Sequence, residues 1–186
     1  MRFQVPIVLL SMLMLPGCKR QTGLEKTLME AFSCFKTTEV LGVPDGKKLN
    51  AIAPYLSKGL IRVFKLADQI ENDYYKQLKE PEPPLSEGWN VFFGVYEGAT
   101  SFKVLDCTID GDKGIALMQF TLQETGMDKP EIWRKSISLV RESDRWVLDD
   151  IIDVKKNGSE APESLRAQLN EFIQTKGGTI KKESHN

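Results

Sequence analysis

The sequence has almost no histidine. Its single histidine, His185, is the last residue but one. A serine–histidine–aspartate triad, a histidine general base and a histidine-ligated metal site all need a histidine held within the fold. We therefore predict no catalytic residue set, no metal site and no cofactor.

The chain also lacks an excess of charge of either sign. Twenty-five basic and 26 acidic residues give a net charge of −1 and a pI near 6.0. A nucleic-acid partner would require a basic face, so this class of ligand is not expected. With 186 residues, 41% hydrophobic and 27% charged, the composition is typical of one globular domain.

The N-terminal apolar run is too short to cross a membrane. Residues 5–15 form a run of 11 residues after Arg2, whereas a bilayer-spanning helix needs roughly 20. A positive start followed by an apolar core of about 7–15 residues is typical of a secretory signal peptide. We predict that residues 1–17 are a signal peptide.

This run ends in a sequence that resembles the lipobox of bacterial lipoproteins. Leu15, Pro16 and Gly17 precede Cys18, which matches a large aliphatic residue and a small pair before the modified cysteine. The resemblance implies cleavage between Gly17 and Cys18, a diacylglycerol thioether on the sulfur, and an N-acyl chain such as palmitate. Several acyl chains anchor a protein stably, while one does not.

A lipid on Cys18 would hold the chain at a membrane in the bacterial envelope. Cleavage leaves 169 residues with a net charge of −2, because Arg2 is the only charged residue removed. We expect residues 18–22 to form the lipidated tether, facing the periplasm. Lys19 follows the cysteine where some envelopes read Asp as a retention signal, which favours the outer membrane.

Two further cysteines remain in this oxidising compartment, where disulfides persist. Cys34 lies in a predicted helix, and Cys107 in a predicted strand on the same face as Leu105 and Ile109. A bond between them would close a loop of 73 residues and stabilise the fold by roughly 4 kcal/mol. The alternative is two separate buried thiols, since free cysteine often packs as a small core residue.

The first half of the mature chain has helical periodicity. Apolar residues at helical spacing predict helices over residues 23–40, 49–56 and about 58–79, with Ser57 as the N-cap of the third. A proline-rich stretch, residues 80–84, ends this helical half. We interpret it as a stiff surface connection within one domain, residues 23–175.

The second half changes to a period of two. Residues 101–109, 113–123, 131–142 and 145–153 are predicted strands joined by short turns, and residues 89–96 are a candidate fifth. Short turns make neighbouring strands antiparallel. A last helix is predicted over residues 161–175, followed by a mobile tail, residues 176–186. The predicted class is α+β, with helices packed on an antiparallel sheet of four to five strands.

Two segments carry a family resemblance. Residues 53–60, around Tyr55, Leu56 and Ser57, and residues 145–151, around Trp146 and Asp149, resemble the bacterial family called domain of unknown function 3828. The family is similar to the nuclear transport factor 2-like superfamily. The resemblance implies a curved sheet wrapped around helices into a cone, and an envelope lipoprotein. It implies no activity.

Asp149 and Asp150 are the candidate pocket acids. Strand alternation predicts that Asp150 shares a face with Leu148, and Asp149 a face with Ile151, so one aspartate should be buried. It would be either a catalytic acid of raised pKa or, as we favour, a structural acid. The second interpretation requires bonds to backbone amides or to an arginine such as Arg62 or Arg134.

Aromatic residues are concentrated on both sides of the proline-rich stretch. They are Tyr74, Tyr75, Trp89, Phe92, Phe93 and Tyr96. They would form either a ligand pocket or partner surface, or the core between helix and sheet, which we favour.

The leading functional hypothesis is a non-catalytic, membrane-anchored envelope lipoprotein that binds another envelope protein. One form of it is an immunity-type protein against a delivered toxin. The alternatives are a small-molecule binder or enzyme that uses a cone cavity with Asp149 or Asp150 as acid or base, and a structural protein of the cell surface. The sequence does not determine the oligomeric state.

Overall fold

The structure is a computed structural model that describes residues 17–77, 90–154 and 164–183. Side chains are described for residues 23–77, 90–154 and 164–177. The predicted signal peptide, apart from Gly17, lies outside the described residues, and so do the side chain of Cys18 and all of Trp89.

Helices precede the sheet and one helix follows it. The described helices are α1 (Gly17–Thr38), α2 (Gly46–Ile52), a single 3-10 turn (Ala53–Tyr55), α3 (Lys58–Gln77) and α4 (Leu165–Glu183). Ser57 caps α3 as predicted, because its Oγ accepts the amide of Leu60 at 2.9 Å. No helix of the described segments is long and apolar enough to cross a bilayer.

Four strands form one antiparallel sheet in sequence order. They are β1 (Ser101–Asp110), β2 (Lys113–Leu122), β3 (Glu131–Glu142) and β4 (Arg145–Asp153). Tight turns around Gly111 and at Ser143–Asp144 connect the outer hairpins, with positive φ at all three residues. The predicted α+β class, with antiparallel strands of nearly these bounds, is confirmed.

The core lies between α1 and the inner face of the sheet. Phe32 of α1 is fully buried and its ring contacts those of Phe93 and Phe120, at 5.7 and 5.1 Å between centroids. The inward residues of β2 alternate with outward ones, as the period of two requires. Burying an aromatic or aliphatic side chain of this size contributes about 1.5–3 kcal/mol.

Two predicted elements differ from the structure. The described part of the candidate fifth strand, residues 90–96, is a series of turns that places Phe92 and Phe93 in the core. The last helix, α4, begins at Leu165 and continues to Glu183, through residues that we predicted as a mobile tail. Leu165 and Leu169 attach this helix to the core.

Both edge strands contain a β-bulge, and at each bulge the side chains lie on other faces of the strand than we predicted. In β1 the pairing shifts between Val104 and Asp106, which leaves Leu105 as an extra residue. Cys107 therefore points inward opposite buried Ala116, while Leu105 is 38% exposed. The prediction that Leu105 and Cys107 share a face was wrong, because strict alternation ends at the bulge.

Candidate functional site

The second bulge holds the two candidate acids. Ser138 of β3 pairs with Asp150, and the next residue, Leu139, pairs with Leu148, so Asp149 is the inserted residue. Leu148 and Ile151 both face the core, with the two aspartates between them. The predicted faces were wrong here as well: the core residues of β4 change parity at the bulge.

Asp149 joins the first turns of two helices to β4. Ser57 Oγ donates to Asp149 Oδ1 at 2.5 Å, and the Arg166 guanidinium donates to the same oxygen at 2.5 Å. Arg166 also donates to the backbone carbonyl of Asp149 at 3.0 Å. Because Ser57 caps α3 and Arg166 lies in the first turn of α4, one carboxylate fixes both helix ends against the strand.

Asp150 bonds backbone amides. Its Oδ1 accepts the amide of Ile151 at 2.8 Å and the amide of Arg166 at 3.0 Å. Backbone amides and an arginine are the kinds of partner that the structural interpretation of these acids requires. The arginine is Arg166, however, and not Arg62 or Arg134. Sequence reasoning missed Arg166 because it lies 16 residues beyond Asp150, in a helix whose docking depends on the tertiary fold.

The side chains of this cluster bond to one another and are at most one-third exposed. Ser57 is 1% exposed, and the side chains of Asp149 and Arg166 are 32% and 29% exposed. The approach over Gly59 is narrow, since a Cβ there would lie 3.2 Å from both terminal nitrogens of Arg166. The Ser57 hydroxyl already donates to Asp149 and accepts from Leu60. We conclude that the cluster fastens helices to the sheet.

Two described cavities lie elsewhere. One of about 420 Å³ lies beside the N-terminal half of α1, and one of about 250 Å³ lies near its C-terminal end. The first is lined by Gly23, Thr27, Glu30, Pro54, Tyr55, Asp144, Arg145 and Trp146. The second is lined by Lys36, Glu39, Leu41, Asn90, Phe93, Tyr96, Glu97 and Gly98. Neither Asp149 nor Asp150 lines either of them.

A buried lysine is the polar feature that the sequence did not predict. Lys135 points inward from β3, is 3% exposed, and pairs with the half-exposed carboxylate of Asp153 on β4. Its Nζ would be 2.6 Å from a Cβ placed on Gly94, whose φ is +81°. Nearby, Trp133 Nε1 donates to the carbonyl of Phe93 at 2.9 Å. These contacts fasten the loop around Gly94 to the sheet.

The aromatic concentration divides between core and surface. Phe92 and Phe93 are fully buried, and Phe92 stacks on Phe35 with 4.0 Å between centroids. Tyr96 is 59% exposed at the rim of the smaller cavity. Tyr74 and Tyr75 contact each other on α3. The core interpretation holds for the two phenylalanines and not for Tyr96.

Cys34 and Cys107 are not bonded to each other. The Cys34 sulfur faces Thr38 and the carbonyl of Ala51, at 3.8 and 3.7 Å. Cys107 lies near Glu25. Glu25 precedes Cys34 by nine residues on α1, which is about 13 Å along the helix axis. Of the two predicted alternatives, the structure contains the separate thiols. Burial, followed by the charges of Glu25 and Asp106, raises the pKa of Cys107 to about 11.

No side-chain cluster in the described segments could hold a metal ion through three histidine, cysteine, aspartate or glutamate residues. The paired aspartates at positions 110 and 112 flank the turn between β1 and β2.

Comparison with known protein families found no matching family, and comparison with curated proteins found no significant relative. The resemblance to the domain of unknown function 3828 family therefore stays a prediction.

Proposed function

We propose that this chain is a bacterial envelope lipoprotein, anchored through Cys18, whose folded domain binds another envelope protein without catalysing a reaction. We further propose that the sheet curves into the cone of the nuclear transport factor 2-like superfamily. The observation that carries the binding role is the use of the two candidate acids. Asp149 and Asp150 fasten helices to β4, away from both described cavities.

The outward face of the sheet is the binding surface in this proposal. Ile115 on β2 is 57% exposed and Ile132 on β3 is 45% exposed. Both lie on the face opposite the core, because their cross-strand partners, Ser138 and Thr121, also point outward. The two isoleucines are six positions apart in the pairing of β2 with β3, about 20 Å, so they mark the two ends of the proposed surface.

Lipid attachment is tested by metabolic labelling with an alkyne-bearing fatty acid. We expect the wild-type chain to incorporate the label and to sediment with membranes, and Cys18→Ser to do neither. Cys34→Ser is the matched control and should behave as wild type, since Cys34 packs within the fold. Wild-type protein that incorporates no fatty-acid label would refute the proposed lipid anchor.

The binding surface is tested by native extraction of the tagged protein. A partner in stoichiometric amount should co-purify with wild type and be lost from Ile115→Glu. Leu66→Glu is the control, because Leu66 is 45% exposed on α3 and lies outside the sheet. Equal recovery from Ile115→Glu and wild type would show that the outward face is not the interface.

A further inference from the structure

The tether between the predicted lipid and the domain is short. Helix α1 begins at Gly17, so the backbone of Cys18 already belongs to it, and Leu24 is the first described residue of the core. Six residues of helix rise about 9 Å. An anchor on Cys18 therefore holds one end of the domain within roughly 10 Å of the membrane surface. A long flexible linker, in contrast, would let the domain move away from the membrane.

The same end of the domain carries two hairpin turns and the larger cavity. Leu24 lies against Gly114 at the start of β2, and so does the Trp146 ring. The Arg141 amide donates to the Asp112 carbonyl at 2.8 Å, which brings the two hairpins together. The cavity wall from Gly23 to Glu30 lies about 7–18 Å along α1 from Cys18.

Three hydrogen-bond donors in this cavity have no protein acceptor. Within the described part of the chain, the Arg145 guanidinium, the Trp146 indole nitrogen and the Tyr55 hydroxyl form no hydrogen bond or ion pair, although all three residues line the cavity. Arginine presents several donors in a geometry that fits a phosphate. Tryptophan and tyrosine are enriched where protein meets the headgroup layer.

The charges around these donors favour a zwitterionic ligand. Glu30 and Asp144, the cavity's acids, pair with Lys26 and Arg141, at 3.8 and 3.4 Å. Among the residues that line the cavity, Arg145 is the one cation, and it forms no ion pair within the described part of the chain. Asp110 and Asp112 in the adjacent hairpin add negative charge at the same end, which opposes docking on a strongly anionic surface.

We propose that this cavity, lined by Tyr55, Arg145 and Trp146, binds the phosphate of a zwitterionic phospholipid headgroup and so docks the domain on its membrane. The inference rests on the proposed lipid at Cys18. The volume of the cavity, about 420 Å³, falls within the range of ligand sites, roughly 300–1,000 Å³. The docked end is opposite Trp133, which lies eight residues, or about 26 Å, along β3 from the partner of Trp146.

Fluorescence quenching tests the docking. The lipidated full-length mature chain, with Trp89→Phe and Trp133→Phe, is reconstituted in phosphatidylcholine vesicles that contain a headgroup nitroxide. The remaining Trp146 should lose at least half of its emission. A chain whose only tryptophan is Trp133 should keep most of its emission. Trp146 emission unaffected by the nitroxide would overturn the proposal.

Charge variants separate phosphate binding from general attraction. In the chain whose only tryptophan is Trp146, Arg145→Gln should reduce the quenching at least twofold. Lys113→Gln should leave the quenching unchanged. This substitution removes the same charge at the same end of the domain, but Lys113 lies outside the cavity. Equal effects of the two variants would overturn the cavity as the site. A mass spectrum without acyl chains would overturn both proposals, whereas unquenched Trp146 in acylated protein overturns the docking alone.

Discussion

The contact between Gly94 and Lys135 gives the sharpest test of the packing. Gly94 and Gly98 both have positive φ, +81° and +75°, in the loop that carries Phe93 into the core. An alanine at either position should cost about 1–2 kcal/mol from the backbone alone. The two sites differ in what a new Cβ meets. At Gly98 the nearest atom is 3.7 Å away, and at Gly94 it is the Lys135 ammonium at 2.6 Å.

That ammonium has little room to move. Lys135 is 3% exposed and pairs with Asp153, so Gly94→Ala must displace either the ion pair or the loop. Removing a partner from a fully buried pair costs about 3–5 kcal/mol, and we take about 1–3 kcal/mol here because Asp153 is 43% exposed. We expect Gly94→Ala to lower the free energy of unfolding by roughly 2–5 kcal/mol, against about 1–2 kcal/mol for Gly98→Ala.

Urea denaturation of the mature chain with Cys18→Ser measures both values. Lys135→Met supplies the second arm of a double-mutant cycle, because it removes the ammonium and keeps an unbranched apolar side chain. The coupling between Gly94→Ala and Lys135→Met should be at least about 1 kcal/mol, while Gly98→Ala should couple by less than about 0.5 kcal/mol. Equal losses from the two glycine variants, or no coupling at position 94, would refute the reasoning.

Two other predictions concern buried polar groups. Ser57→Ala should lower the free energy of unfolding by about 1–2 kcal/mol in urea, since it removes the cap of α3 and the bond to Asp149, and exposed Ser33→Ala should have almost no effect. Cys107 should ionise at a lower pH in the unfolded chain than in the fold, where its pKa is raised from 9.0 to about 11. Stability present below pH 9 should therefore fall between pH 9 and 11, and a pH profile unchanged by Cys107→Ala would contradict this.

Most of the secondary structure could be predicted from local sequence. The predicted β3 and β4 have the observed bounds, because alternation and the Ser143–Asp144 turn mark them without reference to the rest of the chain. The Ser57 cap was predictable for the same reason: its bond to the amide of Leu60 spans three residues. Local signals were weaker at residues 90–96, where apolar residues pack into the core from turns.

The candidate site was only half predictable. The sequence identified Asp149 and Asp150 as acids that need partners, because a strand with apolar residues on both sides must bring one of them near the core. It could not identify Arg166 as the partner, nor the pairing of Lys135 with Asp153. Those contacts join residues 17 and 18 positions apart, in elements whose positions depend on packing.

The sequence by itself determined the α+β class, the hairpin turns and the cap of α3, since each of these depends on neighbours within a few residues. Only the tertiary structure decided which way the edge strands face. A bulge is a mismatch between two paired strands, so neither the one at Leu105 nor the one at Asp149 is visible in one strand's pattern. Each extra residue reverses the alternation beyond it. In β4 that reversal leaves Asp149 and Asp150 between two core residues, where they fasten α3 and α4 to the sheet.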